Sequence, residues 1–119
     1  MNETHSLLHV FDARILMEQT LDDTELFTEV MNAFLADLPI HLDHITTGMA
    51  SGEQTLAYRA AHSLKGAAAN VGAGELAQLS AQLEHLLKDD ITTAETQALG
   101  VQIGHAMDRL REQLDTLGL

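Results

Sequence analysis

Apolar residues recur at steps of three and four along most of this chain, a period that a helix satisfies and a strand does not. The clearest run is Phe27, Val30, Met31, Phe34, Leu35, Leu38, Leu42, Ile45 and Met49. It passes through Pro39, the single proline. A proline inside a helix deletes one hydrogen bond and bends the axis. The run therefore predicts one bent helix over about 23–50, with a cap-like Asp22/Glu25 start. Gly48 and the Ser51-Gly52 pair are expected to end it.

Three more stripes follow. Leu56, Ala60, Leu64, Ala67 or Ala68, and Val71 predict a helix over about 54–70, with Glu53 near its start and Gly72 as the left-handed stop. Leu76, Leu79, Leu83, Leu86 and Leu87 predict another near 74–88, ended by Asp89-Asp90. The link between these two is so short that they must be antiparallel neighbours. Thr92 with Glu95 reads as a capping box for a last helix, whose stripe is Leu99, Ile103, Ala106, Leu110, Leu114 and Leu117. Gly100 and Gly104 share one face there, which points to close helix packing, with a local bend as the alternative. Ahead of all this, Asp12 is a plausible N-cap for a short helix over about 13–20, docked by Phe11, Leu16 and Leu21. The fold expected is all-α: an antiparallel four-helix bundle with a short extra N-terminal helix.

Composition agrees and narrows the function. Aromatics are only 3% against 45% hydrophobic residues, a mix rich in Leu and Ala that suits helices. There is no cysteine, hence no thiol nucleophile and no Cys-based metal site. The net charge of −12 disfavours binding to nucleic acid or anionic membranes. No apolar run approaches the ~20 residues of a membrane span, and residues 1–9, a weakly ordered lead-in, lack the features of a secretory signal. These features predict a cytoplasmic chain.

One polar face stands out. His62 lies about 200° around its helix from Ala60, opposite the stripe. Tyr58, Arg59, Lys65, Gly66 and Ala69 share its side. Gly66 is an odd choice, because mid-helix glycine costs roughly 1 kcal/mol relative to Ala. Clearance beside His62 for another surface is a physical reason to keep it; admission of a neighbouring helix is the plain alternative. Only six basic residues exist, and two of them, Arg59 and Lys65, fall on this face. No acidic residue lies between Glu53 and Gly74. On composition alone, two basic residues on an exposed helix read as ordinary solvated charges, although a locally neutral-to-positive helix in an acidic chain could also accommodate an added anionic group.

The string His62-Ser63-Leu64-Lys65-Gly66, followed by Gly72, resembles the signature of histidine phosphotransfer (HPt) domains of bacterial multistep phosphorelays. Phe11-Asp12, the segment Phe34-Leu35-Ala36-Asp37-Leu38-Pro39, and Leu83-Glu84 also resemble that family, so the likeness covers roughly residues 10–117. It implies a single HPt domain over 1–119 with its bundle core at about 23–117. It implies that His62 is the phosphoacceptor and that Glu84 orients it by accepting from Nδ1–H, leaving Nε2 as nucleophile. Lys65 would then favour the phosphoryl oxygens by charge, and Gly66 would leave room for the partner.

The implied partners are receiver domains of a hybrid histidine kinase and of a response regulator, with Mg²⁺ in the receiver and no cofactor in this chain. No nucleotide-binding loop or kinase signature occurs, so no use of ATP and no independent turnover is expected. A monomer is expected, since every apolar stripe is needed inside the bundle. Two other classes compete. One is a non-transferring helical adaptor that binds a signalling partner through the same face. The other is a metal-binding bundle using His41 and His44, spaced i, i+3. It lacks the Glu-x-x-His pattern of carboxylate-bridged helical metal sites. His5 and His9 form a weaker pair of the same kind.

Overall fold

The computed structural model describes residues 9–89 and 93–118, and every regular element among them is a helix. They are α1 (Ala13–Gln19), α2 (Thr24–Ser51), α3 (Gln54–Val71), α4 (Gly74–Leu87) and α5 (Ala94–Thr116). The long four form a bundle in which α3 packs most extensively against α4 and α2, and α5 closes the other side against α4 and α2. The predicted lead-in, apart from His9, lies outside the described residues.

Each boundary has a local cause. Asp12 caps α1, its side chain accepting from the Arg14 backbone N–H. Helix α2 runs unbroken through Pro39. Its cap is Asp23, one residue later than expected, with the carboxylate accepting from Leu26 N–H at 3.1 Å. The shift has a cause in the turn before it. Leu21 and Asp22 both adopt left-handed backbone angles, φ 53 and 61, to reverse the chain after α1. Asp22 is therefore spent on the turn, and Leu21, expected to dock, is 88% exposed.

Gly52, with φ 77, ends α2, but Gly48 does not. It is buried four residues inside the helix, where a Cβ would stand 2.9 Å from both the Ala57 nitrogen and the Glu53 carbonyl oxygen. Its role is to let α2 cross the start of α3. Gly72 ends α3 in the left-handed conformation, φ 87, as expected. Its carbonyl also accepts from Asp12 N–H at 2.9 Å, and a Cβ would collide with the Asp12 carbonyl, so the same glycine pins α1 to the α3–α4 corner. The cap of α5 is Thr93. Thr93 and Thr96 exchange side-chain-to-backbone hydrogen bonds at 2.9 and 3.3 Å, so Thr96 fills the place given to Glu95. Thr92 lies outside the described residues.

The core joins Phe27, Met31, Phe34, Leu38 and Ile45 of α2 to Leu64 of α3, Leu76 and Leu83 of α4, and Ile103 and Leu110 of α5. Phe11 and Leu16 are buried in it too, so the short helix is part of the packed body. Leu117, counted in the last stripe, falls on the C-cap of α5 and is half exposed. Gly100 faces Met49 at 3.0 Å and Gly104 faces Leu42 at 3.7 Å, measured from the Cβ each lacks, so both do admit α2. No described helix is long and apolar enough to cross a membrane.

Candidate functional site: the His62 face

The buried side of α3 is made of Ala57, Ala60, Ala61, Leu64, Ala68 and Val71. The many alanines let α4 approach closely along its length. With that stripe held inside, the helical period turns His62 outward, and 63% of its side chain is exposed. The short α3–α4 link makes the two helices antiparallel and sets Glu84 of α4 across from His62.

The contact is close. His62 Nδ1 lies 2.6 Å from Glu84 Oε2, and Lys65 Nζ donates to Glu84 Oε1 at 2.8 Å. One carboxylate thus serves two residues of the neighbouring helix, one with each oxygen. Glu84 is only 17% exposed, against 37% for Lys65. The hydrogen bond from Lys65, against some cost of burial and helped by His62, holds its carboxyl below the usual carboxylate range. Near neutral pH Glu84 is therefore ionised and can only accept. That assigns the proton between them to Nδ1 of His62. Nε2 has no hydrogen-bonding partner among the described residues.

Three further residues shape the face. Tyr58, one turn before His62, stacks on the imidazole with ring centroids 6.3 Å apart and planes 13° from parallel. Beyond it a cleft of about 270 Å³ opens between the start of α3 and the end of α4, lined by Gln54, Thr55, Tyr58, Leu87 and Lys88. On the other side Gly66 is exposed, with nothing within 4 Å of the Cβ it lacks. Among the described residues no neighbouring helix requires a glycine there.

The structure thus brings together four residues singled out in the sequence: His62, Lys65, Gly66 and Glu84. Two features escaped sequence reading. The Lys65–Glu84 pair joins different helices, and no motif in one segment encodes it. The Tyr58 stack was legible as an i, i+4 neighbour, but not its ring orientation. Arg59 is exposed on the same face.

The histidine pair of the metal alternative sits elsewhere. His41 and His44 are half-buried on α2. Burial pushes the His41 imidazole below its usual value, against the opposing pull of Asp37. Among the described residues no three His, Cys, Asp or Glu side chains converge to hold a metal. His5 lies outside the described residues.

Comparison with the curated proteins returns no match. Among solved structures, the chain is similar to the HPT domain of an Hpt sensor hybrid histidine kinase from Shewanella. The TM-score is 0.73 at 20% identity, covering 93% of this chain and 92% of that one, a likeness of fold. The model of the Hpt domain family matches residues 29–117, three quarters of the chain and all the residues of the His62 site. The chain therefore belongs to the Hpt family, the histidine phosphotransfer domains that act as intermediates in phosphorelays.

Proposed function

We propose that the whole chain acts as one Hpt domain, carrying a phosphoryl group on His62 between two receiver domains. The observation that carries this reading is the 2.6 Å contact between His62 Nδ1 and Glu84 on an otherwise exposed ring. It leaves the Nε2 lone pair pointing away from the carboxylate, available as the nucleophile.

In the forward step that lone pair attacks the phosphorus of an aspartyl phosphate. The N–P bond forms as the P–O bond to the aspartate breaks, and the carboxylate leaves with the electron pair. The ring becomes cationic and keeps its Nδ1 proton, whose charge Glu84 offsets. In the onward step an aspartate oxygen of the second receiver attacks, the N–P bond breaks, and the neutral imidazole returns. Lys65 adds positive charge where the phosphoryl oxygens collect, and Gly66 leaves the approach uncrowded. The acidic pocket and its Mg²⁺ belong to the receiver; this chain contributes the nucleophile and the docking face. It works as a cytoplasmic monomer without ATP.

The test is incubation of the protein with a panel of receiver domains charged by labelled acetyl phosphate. Transfer should give acid-labile, base-stable label on the wild type. His62→Gln should keep the helical spectrum and take up at least about a hundredfold less label. Equal labelling of His62→Gln would refute the assignment. Receiver binding without any phosphohistidine would support the adaptor reading instead.

A further inference from the structure

A proline has no N–H, so the carbonyl four residues before it loses its helical partner, and the ring pushes that carbonyl aside. In α2 the carbonyl in question is that of Leu35, four residues before Pro39, yet the helix runs unbroken from Thr24 to Ser51. A donor from another helix stands in for the missing one. Arg111 of α5 places Nη2 3.3 Å from the Leu35 oxygen. We propose that Arg111 is a strap that supplies from α5 the hydrogen bond Pro39 removes from α2, so that the joint in α2 is closed only while α5 is docked against it.

The choice of partner supports this. The chain has 18 acidic residues, and Arg14, Lys65 and Arg109 each pair with one of them. Arg111 makes no ion pair among the described residues. Its guanidinium goes instead to a neutral carbonyl, and to the one that the proline orphans. The register supports it too. Gly100 admits Met49 and Gly104 admits Leu42, so α2 and α5 run antiparallel along this seam. Leu35 lies seven residues before Leu42, and Arg111 seven after Gly104. Seven residues are about two turns on either helix, so the seam that the glycines set brings Arg111 level with the Leu35 carbonyl. This seam is the least extensive between neighbouring helices of the bundle, which leaves few other contacts to hold it shut. The strap therefore ties two motions together. When the last turns of α5 lift, Leu35 loses its donor and α2 is free to bend further at Pro39. When α2 bends, Arg111 loses its acceptor. The middle of α2 and the end of α5 then open as one cooperative unit.

The test is a double-mutant cycle on the full chain. Arg111→Met keeps the apolar stem and removes the donor. Pro39→Ala returns an N–H to position 39, which can donate to the Leu35 oxygen from within α2. In the wild-type background Arg111→Met should raise the unfolding constant by roughly threefold, a modest loss because the hydrogen bond lies near solvent. In the Pro39→Ala background the same change should cost less than about half as much on a logarithmic scale, since the carbonyl is already satisfied. Arg111→Lys, which can still donate, should recover part of the loss. Two local readouts accompany the cycle. The ¹³C shift of the Leu35 carbonyl should move in Arg111→Met. Amide hydrogen exchange at Leu38, Ile40 and His41 should speed up by roughly threefold or more in that variant, and much less when Pro39→Ala is also present. An equal loss from Arg111→Met in both backgrounds would overturn the proposal and make Arg111 an ordinary surface residue. So would an unmoved Leu35 carbonyl shift, or unchanged exchange around Pro39.

Discussion

Gly48 and Gly66 are both interior helix glycines, and they sit in opposite surroundings. Gly48 is buried where α2 crosses the start of α3, with backbone atoms of Glu53 and Ala57 closing on the missing side chain. Gly66 is exposed on the outer face of α3, with open space where a Cβ would go. Both carry the same propensity cost. At the crossing, that cost is recovered within the chain by close packing. On the outer face nothing among the described residues recovers it, as the proposed docking face would require. A helix can thus be read for binding by asking which of its unfavourable residues its own fold leaves unexplained.

The largest break in this comparison is at the crossing. Gly48→Ala puts a methyl group against backbone, which cannot move aside as a flexible side chain could. A loss of about 1–3 kcal/mol is expected, the usual cost of overpacking, read as a lower urea midpoint. Gly66→Ala should do the reverse. With no clash and a better helix former, it should stabilise the isolated protein by about 0.5–1 kcal/mol. At the same time it should slow phosphoryl uptake from a charged receiver. A variant that melts higher but transfers more slowly would sharpen the contrast. One that is destabilised would show that Gly66 is packing-driven after all.

The smallest effect concerns the polar side of the same face. Glu84 is held below its usual value by Lys65, so in the acid range the unfolded chain binds its proton more readily than the folded one. Its stabilising contribution is present above the ordinary carboxylate range and is lost as pH falls through the depressed value. The pair is partly exposed, so less than about 1 kcal/mol is at stake. The gap in stability between wild type and Glu84→Gln should be open at pH 6–7, roughly two units above the usual glutamate value. It should close progressively below that value, as urea unfolding at several pH values would show. A gap that widened in acid would have the wrong sign.

Much of the architecture is legible because the helical period acts within one segment. The stripes of α2 to α5 name most of the core, Asp12 and Gly72 name two boundaries, and the side opposite Ala60 names His62. Errors gathered where neighbouring residues compete for one role. Asp22 and Asp23 are equivalent caps on paper, and the left-handed turn at Leu21-Asp22 chooses between them. Gly48 reads as a stop until α3 is seen crossing it. Leu117 continues a stripe by spacing, but it falls at the helix end, beyond the reach of the core.

The candidate site divides in the same way. The order of residues along α3 is enough to turn His62, Lys65 and Gly66 to one side, because each step around a helix is a constant angle. What the imidazole meets on that side depends on the relative height of a second helix. That height follows from how the alanines of α3 seat against the leucines of α4, and from the corner that Gly72 ties to Asp12. Only packing could set Glu84 level with His62 and lay both of its oxygens within reach of α3. Local spacing is a property of one covalent segment, whereas register between helices is a compromise among all the side chains buried between them.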